Sequence, residues 1–228
     1  MSEALVTLAT TPDDALDTDA QLKTIVQLVA DRVGAVQYAS VTVKRDHAYV
    51  TVATSSEIAE MIDNAQYSDH AGPCLQSLEH NTPIAVPRID QTINWPGFRE
   101  AAVSMGLHAS LSIPLFSGSG KTIAALNLYG RDAAAMATLT AGIRAIFDPE
   151  LPLPADRDDL QQLDAGGEEL LSGFAESLAF RSTIQLALGI IMNRTGATTW
   201  DAYIKLRLRA AETGVSLLTA AEAVIVRG

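Results

Sequence analysis

Apolar positions along this chain change period several times, and each change predicts an element. From Asp19, Leu22, Ile25, Val26, Val29 and Val33 recur at three- and four-residue spacing and stop at Gly34, which predicts an amphipathic helix. Residues 1–18 ahead of it are turn-rich and acidic and are expected to fray. Tyr38–Val43 and His47–Ala53 then alternate, with Lys44-Arg45-Asp46 as the turn of a hairpin. A short helix over Glu57–Asn64 follows Ser55-Ser56, and another, Cys74–Leu78, follows Gly72-Pro73. Pro83–Val86 reads as a short strand, Trp95-Pro96-Gly97 as a loop, and Phe98–Met105 as a helix stopped by Gly106. Ala109–Phe116 and Thr122–Tyr129 alternate on either side of Ser117-Gly118-Ser119-Gly120, a second hairpin. Helix, strands, irregular helices and more strands describe an α+β domain with an antiparallel sheet.

From Arg131 the pattern is mainly helical. Arg131–Ile146 is rich in alanine, and three prolines within Asp148–Pro154 predict a turn or linker. A long helix is expected from Asp158, and more firmly from Glu168, to Arg194, carrying Leu171, Phe174, Leu178, Ile184, Ala187 and Ile191. Such a helix is a stiff coupler, and its stripe is read as a dimer seam through Phe174, Leu178 and Ile184. The competing reading packs the stripe on its own sheet, at least before Ala179. Thr195-Gly196-Ala197 and Thr213-Gly214-Val215 then divide three amphipathic helices, with glycine past a helix end and Thr or Ser before the next start.

Composition narrows the class. Apolar residues make up 48% of 228, enough for a core and too much for disorder. No run is seen to approach the roughly 18 apolar residues of a membrane span, and no secretory pattern opens the chain, so a cytoplasmic protein without membrane contact is expected. A lone cysteine, Cys74, fits a reducing compartment. The net charge of −11 is unevenly spread. Residues 181–228 hold six basic and three acidic residues, a net +3 that leaves −14 to the remainder. An end of opposite sign suits a nucleic-acid partner, although +3 is modest.

Candidate chemistry is sparse. Cys74, at a turn into a helix, is read as a small buried hydrophobe in preference to a redox sensor, because no second thiol exists to resolve it. His47, His70, His80 and His108 show no ligand spacing, so no metal or other cofactor is expected. Gly120-Lys121-Thr122 resembles the end of a phosphate loop but lacks the motif's first glycine and leads into a strand. No catalytic constellation is visible, and the chain is not expected to be an enzyme. On the second of the three C-terminal helices, Ala202, Tyr203, Leu206 and Ala210 form a core face at 100° per residue. Trp200, Ile204, Leu208 and Ala211 form a second apolar patch, flanked by Lys205 and Arg209 on one edge and Arg207 on the other. Such a surface suits unpaired RNA bases, which stack on aromatic and guanidinium planes; it equally suits packing on another helix.

Residues 19–130 resemble the GAF domains of actinobacterial GAF–ANTAR regulators. The stretches that carry the likeness are Gln66-Tyr67, Gly72-Pro73-Cys74-Leu75, Trp95-Pro96 with Phe98, Ser112-Ile113-Pro114-Leu115, and Ala124 through Tyr129. Residues 181–228 resemble the ANTAR domain, through Arg181, Ile184, Ala187, Gly189, Met192, Arg194, Ala202, Tyr203, Leu206, Arg207, Leu217 and Ala221. The resemblance implies a flexible N-terminus (1–18), a GAF-like sensor (19–176, with 131–157 an atypical insertion) and a three-helix RNA-binding module (177–228). It implies a homodimeric transcription antiterminator that binds hairpin loops of nascent RNA under control of a signal at the sensor, whose ligand would be an unidentified small molecule. The expected RNA contacts are Arg181, Arg194, Lys205, Arg207 and Arg209; Arg181 and Arg207 match family positions and could instead tie helices together. Leu186, Leu188, Gly214 and Ser216 replace polar or basic residues common in ANTAR domains, which removes expected contacts. They motivate the alternative: a dimerising sensor whose degenerate module contacts protein and not RNA.

Overall fold

The computed structural model describes residues 1–150 and 162–227. A five-stranded antiparallel sheet, ordered β2-β1-β5-β4-β3, lies at the centre of the first part. Its strands are β1 (Tyr38–Arg45), β2 (Ala48–Thr54), β3 (Ile84–Val86), β4 (Ala109–Phe116) and β5 (Thr122–Gly130). Asp46 and His47 turn the first hairpin at positive φ, one position later than the pattern suggests.

Two-residue alternation sorts the strands into two different faces, because successive side chains point to opposite sides. Val41, Val43, Leu111, Ile113, Leu115, Leu126 and Leu128 belong to the large apolar core. That core is closed by α2 (Thr18–Arg32), α6 (Ala133–Phe147), and the long α7 (Ala165–Thr195). The intervening positions, Ser40, Thr42, Ser110, Ser112, Asn127 and Tyr129, are small or polar, and all are buried. They lie beneath α3 (Glu57–Ser68) and α4 (Pro73–His80), with α5 (Pro96–Ser104) packed on α3.

The N-terminus departs from expectation. Ser2–Thr10 forms a helix, α1, that buries Leu5, Leu8 and Ala9. Fraying fails because α1 has a partner remote in sequence: it lies along α7, where Gly173 permits close approach. A Cβ on Gly173 would stand 2.7 Å from Ser2 Cα and 2.8 Å from Leu5 Cδ1. Alanine gains about 1 kcal/mol over glycine within a helix, but overpacking against backbone costs roughly 1–3 kcal/mol. Gly173→Ala is therefore expected to lower the urea midpoint, whereas Gly189→Ala, where an added Cβ meets nothing within 4 Å, should raise it. Equal behaviour of the two variants would show that α1 does not need that contact.

Residues 133–147, expected to stand apart as an insertion, instead bury Met136, Leu139 and Ile143 in the same core as the sheet. Asp132 starts this helix by accepting bonds from the amides of Ala134 and Ala135. Residues 151–157, the end of the proposed insertion and most of its linker, lie outside the described residues, as does the proposed start at Asp158. The described α7 begins where Asp164 accepts from Gly167 N at 2.7 Å; the same carboxylate accepts from Gly34 N at 2.6 Å, linking the end of α2 to the start of α7.

α7 continues into α8 (Thr199–Thr213) and α9 (Leu217–Val226), which enclose a second core. Glycines 196 and 214 take left-handed C-cap conformations, and Thr198 and Ser216 cap the helices that follow. Contrary to expectation, α7 is long and apolar enough to cross a bilayer by length and composition. Its apolar side chains serve two cores within the chain: Leu170 and Phe174 the first, Phe180, Ile184, Ala187 and Leu188 the second.

Candidate functional site

The output helix α8 divides as its pattern predicts. Ala202, Tyr203, Leu206 and Ala210 are buried against α7 and α9, while Trp200 and Leu208 remain 50% and 56% exposed. The five basic residues proposed as RNA contacts fall into different settings. Lys205 is exposed, Arg209 is half-buried, and no ion pair holds either among the described residues. Arg207 stacks over Tyr203, 5.6 Å from the ring centre, and pairs with Asp14 at 3.1 Å. Arg194 donates to the carbonyl of Arg227 at 2.6 Å, tying α7 to the end of α9. Arg181 lies over Phe116 at 4.7 Å and donates through Nε to Gly120 O at 3.0 Å, so it fastens the sensor hairpin to α7. Arg181 is thus engaged with the sensor.

Asp14 was not legible as a site residue, since its partner is 193 positions away. Its neighbour Asp13 accepts from Ser119 N at 3.0 Å and from Ser119 Oγ at 2.7 Å, and Gly118 N donates to Thr11 O at 2.7 Å. The segment between α1 and α2 is therefore strapped to the β4–β5 hairpin and presents one carboxylate to the output helix.

The proposed dimer seam requires correction. Phe174 is 1% exposed and stacked with Phe116, Ile184 is fully buried in the output core, and Leu178 is partly buried against the sensor core. The stripe packs on its own chain because α1, β4 and α9 reach it. Of the departures from the ANTAR pattern, Leu188 is core, Gly214 and Ser216 form the break between α8 and α9, and Leu186 projects from α7 at 55% exposure.

The polar face of the sheet forms a closed network within the sensor. Asp63 of α3 accepts from Tyr129 Oη at 2.6 Å, Thr51 Oγ1 at 2.8 Å and Asn127 Nδ2 at 3.3 Å. Tyr67 Oη lies 2.9 Å from Thr42 Oγ1 and 2.7 Å from Thr51 Oγ1. Gln66 donates to Tyr129 Oη and accepts from Cys74 N. Burial pushes the Asp63 carboxyl up to about 6, even though its hydrogen bonds pull the other way. Burial also raises the Cys74 thiol well above its ordinary range, which matches the reading of an inert hydrophobe.

Asp63 makes stability depend on pH. Its folded pKa, about 6, lies above the ordinary carboxylate value, so the folded state takes up the proton first. The resulting stabilisation is complete below about pH 4 and is lost as pH rises through about 6. At about 1.4 kcal/mol per unit, acidification from pH 7.5 to 5 crosses about one unit below that folded pKa and should add about 1.4 kcal/mol. Urea midpoints across that range read it, and Asp63→Asn should flatten the trend; a trend that survives the substitution belongs to other groups.

The GAF domain family model matches residues 15–144 and the ANTAR domain model residues 174–225. With a flanked antiparallel sheet followed by three helices, the chain belongs to the GAF domain family and carries a C-terminal ANTAR domain. Both are sensor and regulatory domains, and their combination fits a regulator that binds RNA. The ANTAR match begins at residue 174, so the second domain shares α7 with the first. No curated protein matches the sequence. Among solved structures, a GAF domain/HD domain protein from Geobacter sulfurreducens aligns with TM-score 0.41 and 12% identity, over 79% of this chain and 98% of that one. A type II free methionine-R-sulfoxide reductase from Thermoplasma acidophilum aligns with TM-score 0.38 and 11% identity, over 78% and 96%. At such scores neither carries its activity over.

Proposed function

We propose that the protein is a signal-responsive antitermination regulator, acting in the cytoplasm without catalytic activity, whose ANTAR module binds hairpin loops of nascent RNA and keeps a terminator from forming. The observation that carries this reading is the outward face of α8. Trp200 and Leu208 are about half exposed there, flanked by Lys205 and Arg209 on one edge and Arg207 on the other. Unpaired bases need an aromatic or apolar platform, and their phosphates need cations beside it. The same face argues against the degenerate-module alternative: three of the four departures serve packing or helix breaks, and none removes a residue of this surface.

The sensor's grip on the module supplies the control. Asp14 competes with RNA phosphate for Arg207, and Arg181 joins the β4–β5 hairpin to α7. A signal that moves the hairpin would shift the population in which Arg207 is released. Full-length protein should bind loop-containing RNA hairpins in gel-shift titrations at low salt. Asp14→Asn should tighten that binding up to about fivefold, the range of an exposed ion pair worth 0–1 kcal/mol. No affinity for any hairpin loop at low salt would end the RNA reading; unchanged affinity in Asp14→Asn would end the competition.

A further inference from the structure

A cleft of about 710 Å³ separates the β4–β5 hairpin of the sensor from α7 and α8 of the output domain. Its size is that of a small-molecule site, and domain interfaces are where such sites recur. Both domains line it: Lys121 from the hairpin, Arg181, Gly189 and Met192 from α7, and Trp200 and Tyr203 from α8.

Two observations indicate what it would accept. Gly189 lies in the interior of a 31-residue helix, where glycine is costly. Packing does not require it, because an added Cβ would meet nothing within 4 Å. Bare backbone is left facing open space, beside the Met192 thioether and the half-exposed Trp200 indole. That combination forms a bed for a flat ring. At the hairpin end, Lys121 is exposed and no ion pair involves it among the described residues. Of the carboxylates on the rim, Asp14 is paired with Arg207 while Asp13 keeps its charge, so Lys121 and the Arg181 guanidinium against Asp13 leave that end with a net positive charge.

We propose that this cleft is an effector site for a small planar aromatic anion, its ring on Gly189 between Met192 and Trp200 and its anionic group at Lys121 and Arg181. An occupant bridges hairpin and output helices. It therefore strengthens the sensor's hold on the module, and the energetic coupling runs equally in both directions.

The test uses the full chain labelled with nitrogen-15, titrated with 2-naphthoate. The protein has two tryptophans. Trp95 packs on Phe98 in a separate cluster and serves as an internal reference. Trp200→Phe identifies which indole N–H signal belongs to the cleft. We expect the Trp200 signal to shift saturably while that of Trp95 stays. Neutral 2-naphthamide should bind about tenfold more weakly, and Lys121→Ala should weaken naphthoate by a similar factor, as for one charge-assisted contact. Gly189→Leu should abolish binding while leaving the melting transition cooperative, since an added Cβ there meets nothing within 4 Å. A parallel titration with adenosine monophosphate tells a phosphate from a carboxylate preference. The proposal is overturned if neither anion moves the Trp200 signal, if naphthamide binds as well as naphthoate, or if Lys121→Ala and Gly189→Leu leave binding unchanged. None of these outcomes depends on RNA.

Discussion

Phe174→Ala is expected to destabilise the folded chain by about 3–5 kcal/mol, the cost of removing a large buried aromatic and leaving a cavity. For a chain of this size that corresponds to a fall in melting temperature on the order of 10 °C. The side chain is 1% exposed, stacks on Phe116 with ring centroids 6.5 Å apart, and lies where α7 meets the sheet. Were it a seam residue, its loss would weaken association and spare the fold of each copy. Sedimentation velocity beside a melting curve separates the two. We expect a lower transition with the association state unchanged. If two copies do pair along α7, they must meet the side chains this helix leaves outside, Leu186 above all. Leu186→Glu is the variant that would then shift the sedimentation coefficient while sparing the melt. Dissociation caused by Phe174→Ala alone would restore the seam.

Replacing Lys205 and Arg209 together by alanine is expected to produce the largest loss of RNA binding obtainable without touching the core. The five candidates separate by their settings. Arg181 and Arg194 are engaged with carbonyl groups of Gly120 and Arg227, and Arg207 with Asp14. Lys205 and Arg209 border the exposed Trp200–Leu208 face on one edge and have no ion-pair partner among the described residues. If each neutralises one phosphate, the slope of log affinity against log salt should flatten by about 1.4–1.8. The loss should be similar across loop sequences, because phosphate contacts position and do not specify. Circular dichroism must show the helices intact. An unchanged salt slope would move the RNA surface off α8.

The sequence by itself determined the elements and much of their sidedness. Alternation in Tyr38–Val43, Ala109–Phe116 and Thr122–Tyr129 is a local property of strands with two unlike faces, and the helix breaks at Gly196 and Gly214 follow from the left-handed conformation that glycine adopts freely. The buried face of α8 was legible for the same reason: Ala202, Tyr203, Leu206 and Ala210 recur at the helical period. What an apolar stripe packs against is a different question, because hydrophobic burial has no direction and any apolar surface within reach satisfies it. Only the tertiary structure decided that Phe174 meets Phe116, that Ile184 lies in the output core, and that α1 covers α7 at Gly173. Only the structure, likewise, placed Asp14 on Arg207 across 193 positions and Arg181 on the sensor hairpin. Charge along the chain counts cations, but whether each is free to meet a phosphate depends on what long-range folding sets beside it.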